Sequence, residues 1–368
     1  MPLAPRTTFR LGGKARYFVE VKSDEEVRSA LIWADDANIS EVLILGGGSN
    51  LVVADTGTPG LVIQTGQKGI NIDDRGATAR IRANAGECFD DLVRYAVDRE
   101  LVGLECLSGI PGSVGATPIQ NVGAYGQDIA QTLASVTVFD RIGRTQLTFS
   151  QLECQFGYRD SRFKTLEPDR YVVLCVEFQL RRGAPAPLRN RELAAKFEIE
   201  GTLHPSVRQI RQAVIELRAA KSMLADAENP LARSAGSFFV NPIVPRQEAH
   251  RISTLSPNHN MPSWDMPDGN VKLAAAWLIE HSGTPRGHRL GPVGLSPYHC
   301  LVIVAHARCE AADVVAYAHQ IRSNVRDKFG VELVPEPRFW GFGRIESGLP
   351  ILDSDEGPRT LDSASWQV

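Results

Sequence analysis

The chain has 368 residues, 43% hydrophobic and 23% charged, with a formal net charge of −3. That is more chain than one ordinary core holds, so two or three domains are expected. The charge balance lacks the basic stripe of a nucleic-acid binder, no apolar run nears the roughly 18 residues of a membrane-spanning helix, and six scattered cysteines without a Cys-x-x-Cys pair argue against a structural zinc or any other metal centre.

The N-terminus lacks the charged-then-apolar pattern of a secretion signal, so the expected compartment is the cytoplasm. No exposed apolar helix stands out, which makes a monomer the default. In chain order, "ARYFVEV" (Ala15–Val21) reads as a strand. A helix follows, because Ser23 and Glu26 have capping-box spacing and Val27, Ala30, Leu31 and Ala34 share one face. "VLIL" (Val42–Leu45) reads as a short buried strand that runs into "GGGSN" at 46–50, then "LVVA", a Gly/Pro turn and "GLVI". A β-α-β-β unit fits this order.

The middle is richer in strands. "TARIRANAG", "SVTVFD" and "YVVLCVEFQL" alternate or are β-branched, and one helix, "FDDLVRYAVDREL", interrupts them. Residues 182–191 are basic and Pro-rich and read as a mobile loop. "HPSVRQIRQAVIELRAAK" then gives an amphipathic helix with Val207, Ile210, Val214 and Leu217 on one side. In the last third, "VKLAAAWLIEHSG" reads as a helix stopped by Gly283, "CLVIVA" as a strand, and "AADVVAYAHQIRSNVRDKFG" as a helix stopped by Gly330. After Phe342 the tail turns polar and reads as disordered. Cys175 and Cys300 lie in apolar strand-like runs and read as buried thiols.

Two glycine-rich stretches stand out. In "LGGGSN" no helix follows, as a dinucleotide fingerprint would require; the β-branched "LVVAD" does. What remains is either a plain tight turn or a strand–turn–strand nest of backbone N–H groups able to hold a diphosphate. The second stretch, "GLECLSGIPGSVGATPIQNVGAYGQDI", holds six glycines and little charge. A backbone packed on a large, flat ligand suits that composition better than a flexible linker does. A third stretch, "SAGSFFVNP", sets Ser237 between a glycine and two phenylalanines. The serine is either ordinary turn chemistry or a functional hydroxyl.

The motifs "TTFRLGGKARYFVEV", "LGGGSNLVV", "GIPGSVGATPIQNVGAYG", "YRDSRFK", "SAGSFFVNP" and "PEPRFWG" occur in that order. Together, from about Thr7 to Gly341, the chain resembles the UDP-N-acetylenolpyruvoylglucosamine reductases, the MurB flavoenzymes of bacterial peptidoglycan synthesis. The resemblance implies an α+β fold: a vanillyl-alcohol-oxidase/PCMH-type FAD-binding module of two α+β subdomains, plus a C-terminal α/β substrate-binding domain. The implied boundaries are 1–70 for the first FAD-binding subdomain, rejoined by 336–345, and 71–225 for the second, with a lid loop near 182–205. The substrate domain would be 226–335 and a disordered tail 346–368.

The resemblance also implies chemistry. The family reduces an enolpyruvyl ether with NADPH, through FAD. Hydride adds to the terminal carbon of the double bond, negative charge builds on the neighbouring carbon and the conjugated carboxylate, and a proton must then arrive. Ser237 matches the proton donor, with Phe238 and Phe239 placed to exclude water. Arg159 matches the arginine on the substrate carboxylate, where a guanidinium can bond both oxygens; its plain alternative is a surface pair with Asp160. Glu336 matches the active-site glutamate; its alternative is a pair with Arg338. For the cofactor the first loop supplies Gly46, Gly47, Gly48, Ser49 and Asn50. The second supplies Gly109, Ile110, Pro111, Gly112, Ser113, Gly115 and Ala116, and further on Ile119, Gln120, Asn121 and Gly123, while Arg338 returns from the C-terminal side. The first loop has no histidine to carry a covalent flavin, so the FAD is expected to be non-covalent. Tyr125, Lys221 and Asn241 match contacts to the UDP-sugar. His299 aligns only by spacing, and a satisfied strand histidine fits it as well.

Three departures accompany the resemblance. The segment from Lys221 to Ser237 is a few residues longer than in simpler members. Asn190 stands near the place of a tyrosine that closes the family's lid over uridine. Ala116 and Thr117 occupy positions where small residues are usual. A same-fold FAD oxidoreductase with another substrate, and a non-catalytic flavin- or nucleotide-binding protein, are the competing readings.

Overall fold

In a computed structural model, residues 1–226, 228–255 and 260–352 are described. The chain forms two compact units. One comprises Met1, Ala15–Gly48 and Pro59–Ala225; the other comprises Pro2–Lys14, Ser49–Thr58 and the chain from Asp226 onward.

In the first unit, strands Ala15–Val21, Thr58–Thr65 and Val42–Leu45 lie side by side in that order, the last two parallel. Helix α1 (Asp24–Asp36) buries Val27, Leu31 and Ala34 against this sheet, as their shared face requires. The Ser23 hydroxyl accepts from the Glu26 N–H at 3.2 Å. The Glu26 carboxylate reaches back one residue further than a capping box would, to the Lys22 N–H at 2.7 Å.

A larger antiparallel sheet runs Thr145–Ser150, Leu133–Asp140, Tyr171–Arg182, Thr78–Asn84, Ile70–Asp74, and Leu101–Val102 also pairs with Tyr171–Arg182. Within Thr78–Asn84, Ala79, Ile81 and Ala83 are buried and Thr78, Arg80 and Arg82 exposed, the period of two that a half-buried strand demands. Helix α2 (Phe89–Asp98) packs its Phe89, Leu92, Val93, Ala96 and Val97 stripe into the same core. The region expected to be a loop holds a helix, α3 (Arg191–Ile199), ahead of α4 (Val207–Ala220). Leu193 and Phe197, one turn apart on α3, bury against Ile210, Ala213 and Val214 of α4.

The second unit gathers the N-terminal arm, strand Leu51–Val53 and the C-terminal chain around one core that includes Phe9, Phe238, Phe239, Tyr317 and Phe329. Strand Arg338–Trp340, within "PEPRFWG", pairs parallel with Leu51–Val53, the strand after the first glycine loop. Helices α5 (Arg246–Thr254), α6 (Ala275–His281) and α7 (Ala311–Phe329) accompany two small antiparallel sheets. Gly330 closes α7 with φ +73°, a left-handed cap that suits glycine.

Two expectations need correction here. "VKLAAAWLIEHSG" is not helical throughout. Val271–Leu273 is the central strand of a sheet, with Val271 and Leu273 buried, and the helix begins only at Ala275. The chain beyond Phe342 is not structureless from there. Ile345–Glu346 pairs with Leu349–Pro350 in a hairpin because Leu349 is fully buried in the core. Residues 353–368 of the expected disordered tail lie outside the described residues. Among the described residues no helix is long and apolar enough to cross a membrane.

Candidate active site

The two glycine loops of the first unit touch backbone to backbone. A side chain at Gly47 would begin 2.6 Å from Gly112 Cα, and one at Gly46 would begin 2.3 Å from Ser113 Oγ. Glycine at 46 and 47 is therefore a packing requirement. The Ser113 hydroxyl is buried there without a hydrogen-bond partner among the described residues. An orphaned buried hydroxyl costs about 1–3 kcal/mol unless something accepts or donates to it. Small residues, backbone N–H groups and a spare hydroxyl in one place fit a dinucleotide diphosphate.

The second loop is held from outside along its length. The Asp90 carboxylate accepts the Gly109 N–H at 2.6 Å and takes Arg211 in a bidentate pair at 2.6 and 2.8 Å. Burial pushes the Asp90 carboxyl up, but the Arg211 and Gly109 hydrogen bonds outweigh it, and the net shift is downward. Arg218 of α4 donates to the Gly109 carbonyl at 3.1 Å and to the Met223 carbonyl at 2.8 Å. Further along, Ser161 Oγ donates to the Ile119 carbonyl at 2.6 Å, and Asn121 Nδ2 donates to the Gly157 carbonyl at 2.9 Å. Arg159 reaches the Gly123 carbonyl at 2.6 Å and the Asn121 carbonyl at 3.4 Å. Asp160, its neighbour, accepts from the Ser161 N–H and the Thr165 hydroxyl. Asn121, Tyr125 and Arg159 all have φ near +50° (47°, 50° and 55°), a region non-glycine residues rarely adopt and one that clusters at functional sites.

Tyr125 packs against the core shared by Cys106, α3 and α4, and burial pushes its phenol up. Lys221 caps α4 and its ammonium lies 2.5 Å from the Glu192 carboxylate of α3. Asn190 is the N-cap of α3, its side chain accepting the Leu193 N–H at 3.0 Å. That role accounts for an asparagine at this position without any stacking on a ligand.

The second unit brings Ser237 and Glu336 onto neighbouring segments. Phe239 bridges Pro335, the Val240 N–H donates to the Val334 carbonyl at 3.0 Å, and the Glu336 N–H donates to the Phe238 carbonyl at 2.8 Å. On the other side Ser237 bridges Val302, and the Phe238 N–H donates to the Leu301 carbonyl at 2.7 Å. Ser237 thus sits in extended backbone between two partners. The turn hydroxyl of this stretch is Ser234, which accepts the Gly236 N–H at 3.3 Å. Phe238 and Phe239 are buried beneath. Asn50 Nδ2 donates to the Glu336 carbonyl at 3.2 Å, and the Arg338 N–H donates to the Asn50 carbonyl at 3.1 Å, so the end of the first glycine loop is tied to the glutamate segment. Thr8 Oγ1 adds a bond to the Ser234 carbonyl at 2.5 Å.

Two carried-over residues have structural work of their own. Asn241 Oδ1 accepts the Ala275 N–H at 2.9 Å and so serves the first turn of α6, whose own N-cap, Ala274, has no side chain to offer. His299 Nδ1 accepts the Leu301 N–H at 3.0 Å, which leaves the proton of the neutral ring on Nε2. Sequence reasoning missed Asp90, Arg211, Arg218 and Glu192. For Glu192 a signal existed, an asparagine cap followed by Leu193 and Phe197 at helical spacing. Nothing local marks the others.

Comparison with known proteins adds three findings. The model of the UDP-N-acetylenolpyruvoylglucosamine reductase C-terminal domain matches residues 228–340, and an FAD binding domain model matches residues 15–148, which span both glycine loops. A UDP-N-acetylenolpyruvoylglucosamine reductase of Thermobifida fusca is 44% identical over 346 residues, 92% of this chain and 96% of its own. One of Streptomyces coelicolor is 41% identical, covering 91% of this chain and 88% of its own. Among solved structures, the UDP-N-acetylenolpyruvylglucosamine reductase of Thermus caldophilus superposes with a TM-score of 0.62 at 26% identity, covering 92% of this chain and 97% of that one.

Proposed function

The chain belongs to the UDP-N-acetylenolpyruvoylglucosamine reductase family, and from that premise we propose that it reduces UDP-N-acetylglucosamine enolpyruvate to UDP-N-acetylmuramate with NADPH as reductant. It is an oxidoreductase and a flavoprotein of peptidoglycan-precursor synthesis, with an α+β FAD-binding module followed by the family's C-terminal domain. The proposed setting is the cytoplasm, with a monomer as the working unit. The proposed lid is the segment near 182–205.

Gly46, Gly47, Gly48 and Ser113 are the residues proposed to receive the FAD diphosphate, with the rest of the second loop lying along the cofactor. FAD held there would supply hydride chemistry for the terminal enolpyruvyl carbon, with NADPH as the proposed source of electrons. Ser237 is proposed to deliver the proton to the neighbouring carbon; a hydroxyl serves when the carbanion is strongly basic and held close. Arg159 is proposed to bond the substrate carboxylate, and Glu336 to share in stabilising the enolate. Lys221, Tyr125, Asn241 and His299 are the proposed contacts to the UDP-sugar.

The observation that carries the reading is the bonded neighbourhood of Ser237 and Glu336, two motifs about a hundred residues apart in sequence whose backbones are joined by the Glu336 N–H on the Phe238 carbonyl and by the Phe239–Pro335 bridge. Its test is anaerobic. NADPH should bleach the flavin, and UDP-N-acetylglucosamine enolpyruvate should restore the colour without oxygen. Ser237→Ala should keep the flavin and its bleaching but lose the recovery. Recovery only on admitting oxygen would replace the substrate assignment with an oxidase. Recovery in Ser237→Ala at the wild-type rate would remove the serine from its role.

A further inference from the structure

The C-terminal hairpin lies beyond the residues matched by the C-terminal domain model, which end at 340. Its tip packs on the segment that carries Glu336. Gly348 has φ +82°, and a side chain there would begin 3.0 Å from Pro335 Cδ and 3.1 Å from Cγ. Pro335 is buried and directly precedes Glu336. On its other side the same segment is bonded to the Ser237 strand through Phe239, Val240 and Phe238. Pro335 and Glu336 are therefore held between the proposed proton donor's strand and the hairpin.

A buried arginine clasps this arrangement. Arg322 of α7 is 9% exposed and spends its guanidinium on three partners. Its Nε pairs with the Glu332 carboxylate at 3.2 Å, on the approach to Pro335. Its Nη1 donates to the Ser347 carbonyl at 3.1 Å, at the hairpin tip. Its Nη2 donates to His319 Nδ1 at 3.1 Å, and the His319 Nε2–H donates to the Pro350 carbonyl at 2.7 Å. A fixed planar fork is the side chain that can hold three segments in register at once. Leu349, fully buried, anchors the hairpin to the core.

We propose that the hairpin and its Arg322 clasp are a positioning device for Glu336, setting where its carboxylate stands relative to Ser237. The inference rests on the reading that Glu336 acts in the substrate half of the reaction. It assigns Gly348 and Arg322 a part in the rate at which the enolpyruvyl group is reduced, and no part in flavin reduction by NADPH.

The test separates the two half-reactions by stopped-flow absorbance on the flavin-loaded enzyme, with flavin content and thermal midpoint measured alongside. Gly348→Ala should push Pro335 aside by a few tenths of an ångström and slow flavin reoxidation by the enolpyruvyl substrate about three- to tenfold, since a full 1 Å misplacement costs about a hundredfold. Bleaching by NADPH should stay within about twofold, because it does not use the glutamate. Adding Pro335→Ala removes Cγ and Cδ and should return part of the lost rate, the remainder being the strain of an alanine at φ +82°; general loosening would produce no such recovery. Leu349→Ala, which loosens the hairpin without adding a clash, should give the same split. Equal slowing of both half-reactions, or no recovery in the double variant, would overturn the positioning role. Glu336→Gln is the control. If it slows reoxidation while Gly348→Ala does not, the hairpin inference alone fails. If it leaves reoxidation untouched, the reading of Glu336 itself fails.

Discussion

The second glycine loop and the proposed lid segment sit in the same unit and are held in opposite ways. The loop is fixed by polar clamps at its start and again further along: Asp90 and Arg218 grip the two sides of Gly109, while Ser161, Asn121 and Arg159 tie residues 119–123 to the 157–161 turn. Helix α3 is held by two apolar side chains, Leu193 and Phe197, and by ion pairs that are partly exposed. Ile199 and Leu203 near its end are 87% and 88% exposed. Freeing α3 therefore costs the burial of two side chains, roughly 3–6 kcal/mol at about 1.5–3 each, partly returned as chain entropy. Disturbing the loop strands several buried polar groups at once. A cofactor platform needs the first kind of attachment and a segment that admits substrate needs the second.

The largest effect is expected where the loop cannot yield. Gly47→Ala sets a methyl 2.6 Å from Gly112 Cα, backbone against backbone, with no rotamer to relieve it. The protein should fold but lose bound flavin by at least about tenfold, read as the flavin-to-protein absorbance ratio after dialysis, since about 1.4 kcal/mol suffices for each factor of ten. Full flavin occupancy in that variant would show that the loops part easily, and the contrast with the lid would collapse.

Next comes Asp90→Asn, which weakens the pair with Arg211 while keeping the shape. A loss of about 2–4 kcal/mol is expected for a partly buried charge left without its partner. The pH dependence has a definite sign. The folded carboxyl lies below its ordinary value, so its contribution is full above the unfolded value, near 4, and fades as pH falls through the folded one. The urea midpoints of the wild type and the variant should therefore converge as pH falls below about 4 and stay apart at pH 7. Midpoints separated equally at all pH values would remove the ion pair from the account.

The clamps also show where sequence legibility stopped. Strands such as Thr78–Asn84 announced themselves by alternation, and α4 and α7 by their stripes and end residues. Val271–Leu273 did not, because an apolar run before an alanine-rich helix carries no period of its own and only pairing with its two neighbours makes it a strand. Helix α3 hid behind the Pro-rich stretch preceding it. Of the proposed functional residues, Ser237, Glu336 and Arg159 could be named only through motif resemblance. Asp90 meets Arg211 across 121 residues and Arg218 meets Gly109 across 109, so no local pattern could have paired them. Tertiary partnerships of that range are written in the fold and not in any window of the chain.

On the lid side, Phe197→Ala should cost about 2–4 kcal/mol of local packing against α4. If α3 opens by itself as the proposed lid, the global melting point should move little. The cost should appear as a KM for the enolpyruvyl substrate raised several-fold, with the flavin content and the rate of bleaching by NADPH unchanged. A large fall in melting point with an unchanged KM would make α3 an ordinary part of the core and erase the distinction from the loop.

The smallest effect sharpens the comparison most. Glu192 occupies Lys221, the lysine proposed to contact the UDP-sugar, with side chains 45% and 22% exposed. A pair so placed is worth about 0–1 kcal/mol to the fold. An anionic substrate that needs the same ammonium must displace the carboxylate. Glu192→Gln removes the competing charge and keeps the helix, so it should lower KM by about two- to fivefold, the factor that 1 kcal/mol or less allows. The gain should shrink as salt is raised from 50 to 500 mM, because screening weakens the competitor in the wild type as well. A KM that rises instead would mean that Glu192 orders Lys221 for the substrate, and the lid would then share the pre-organisation of the loop.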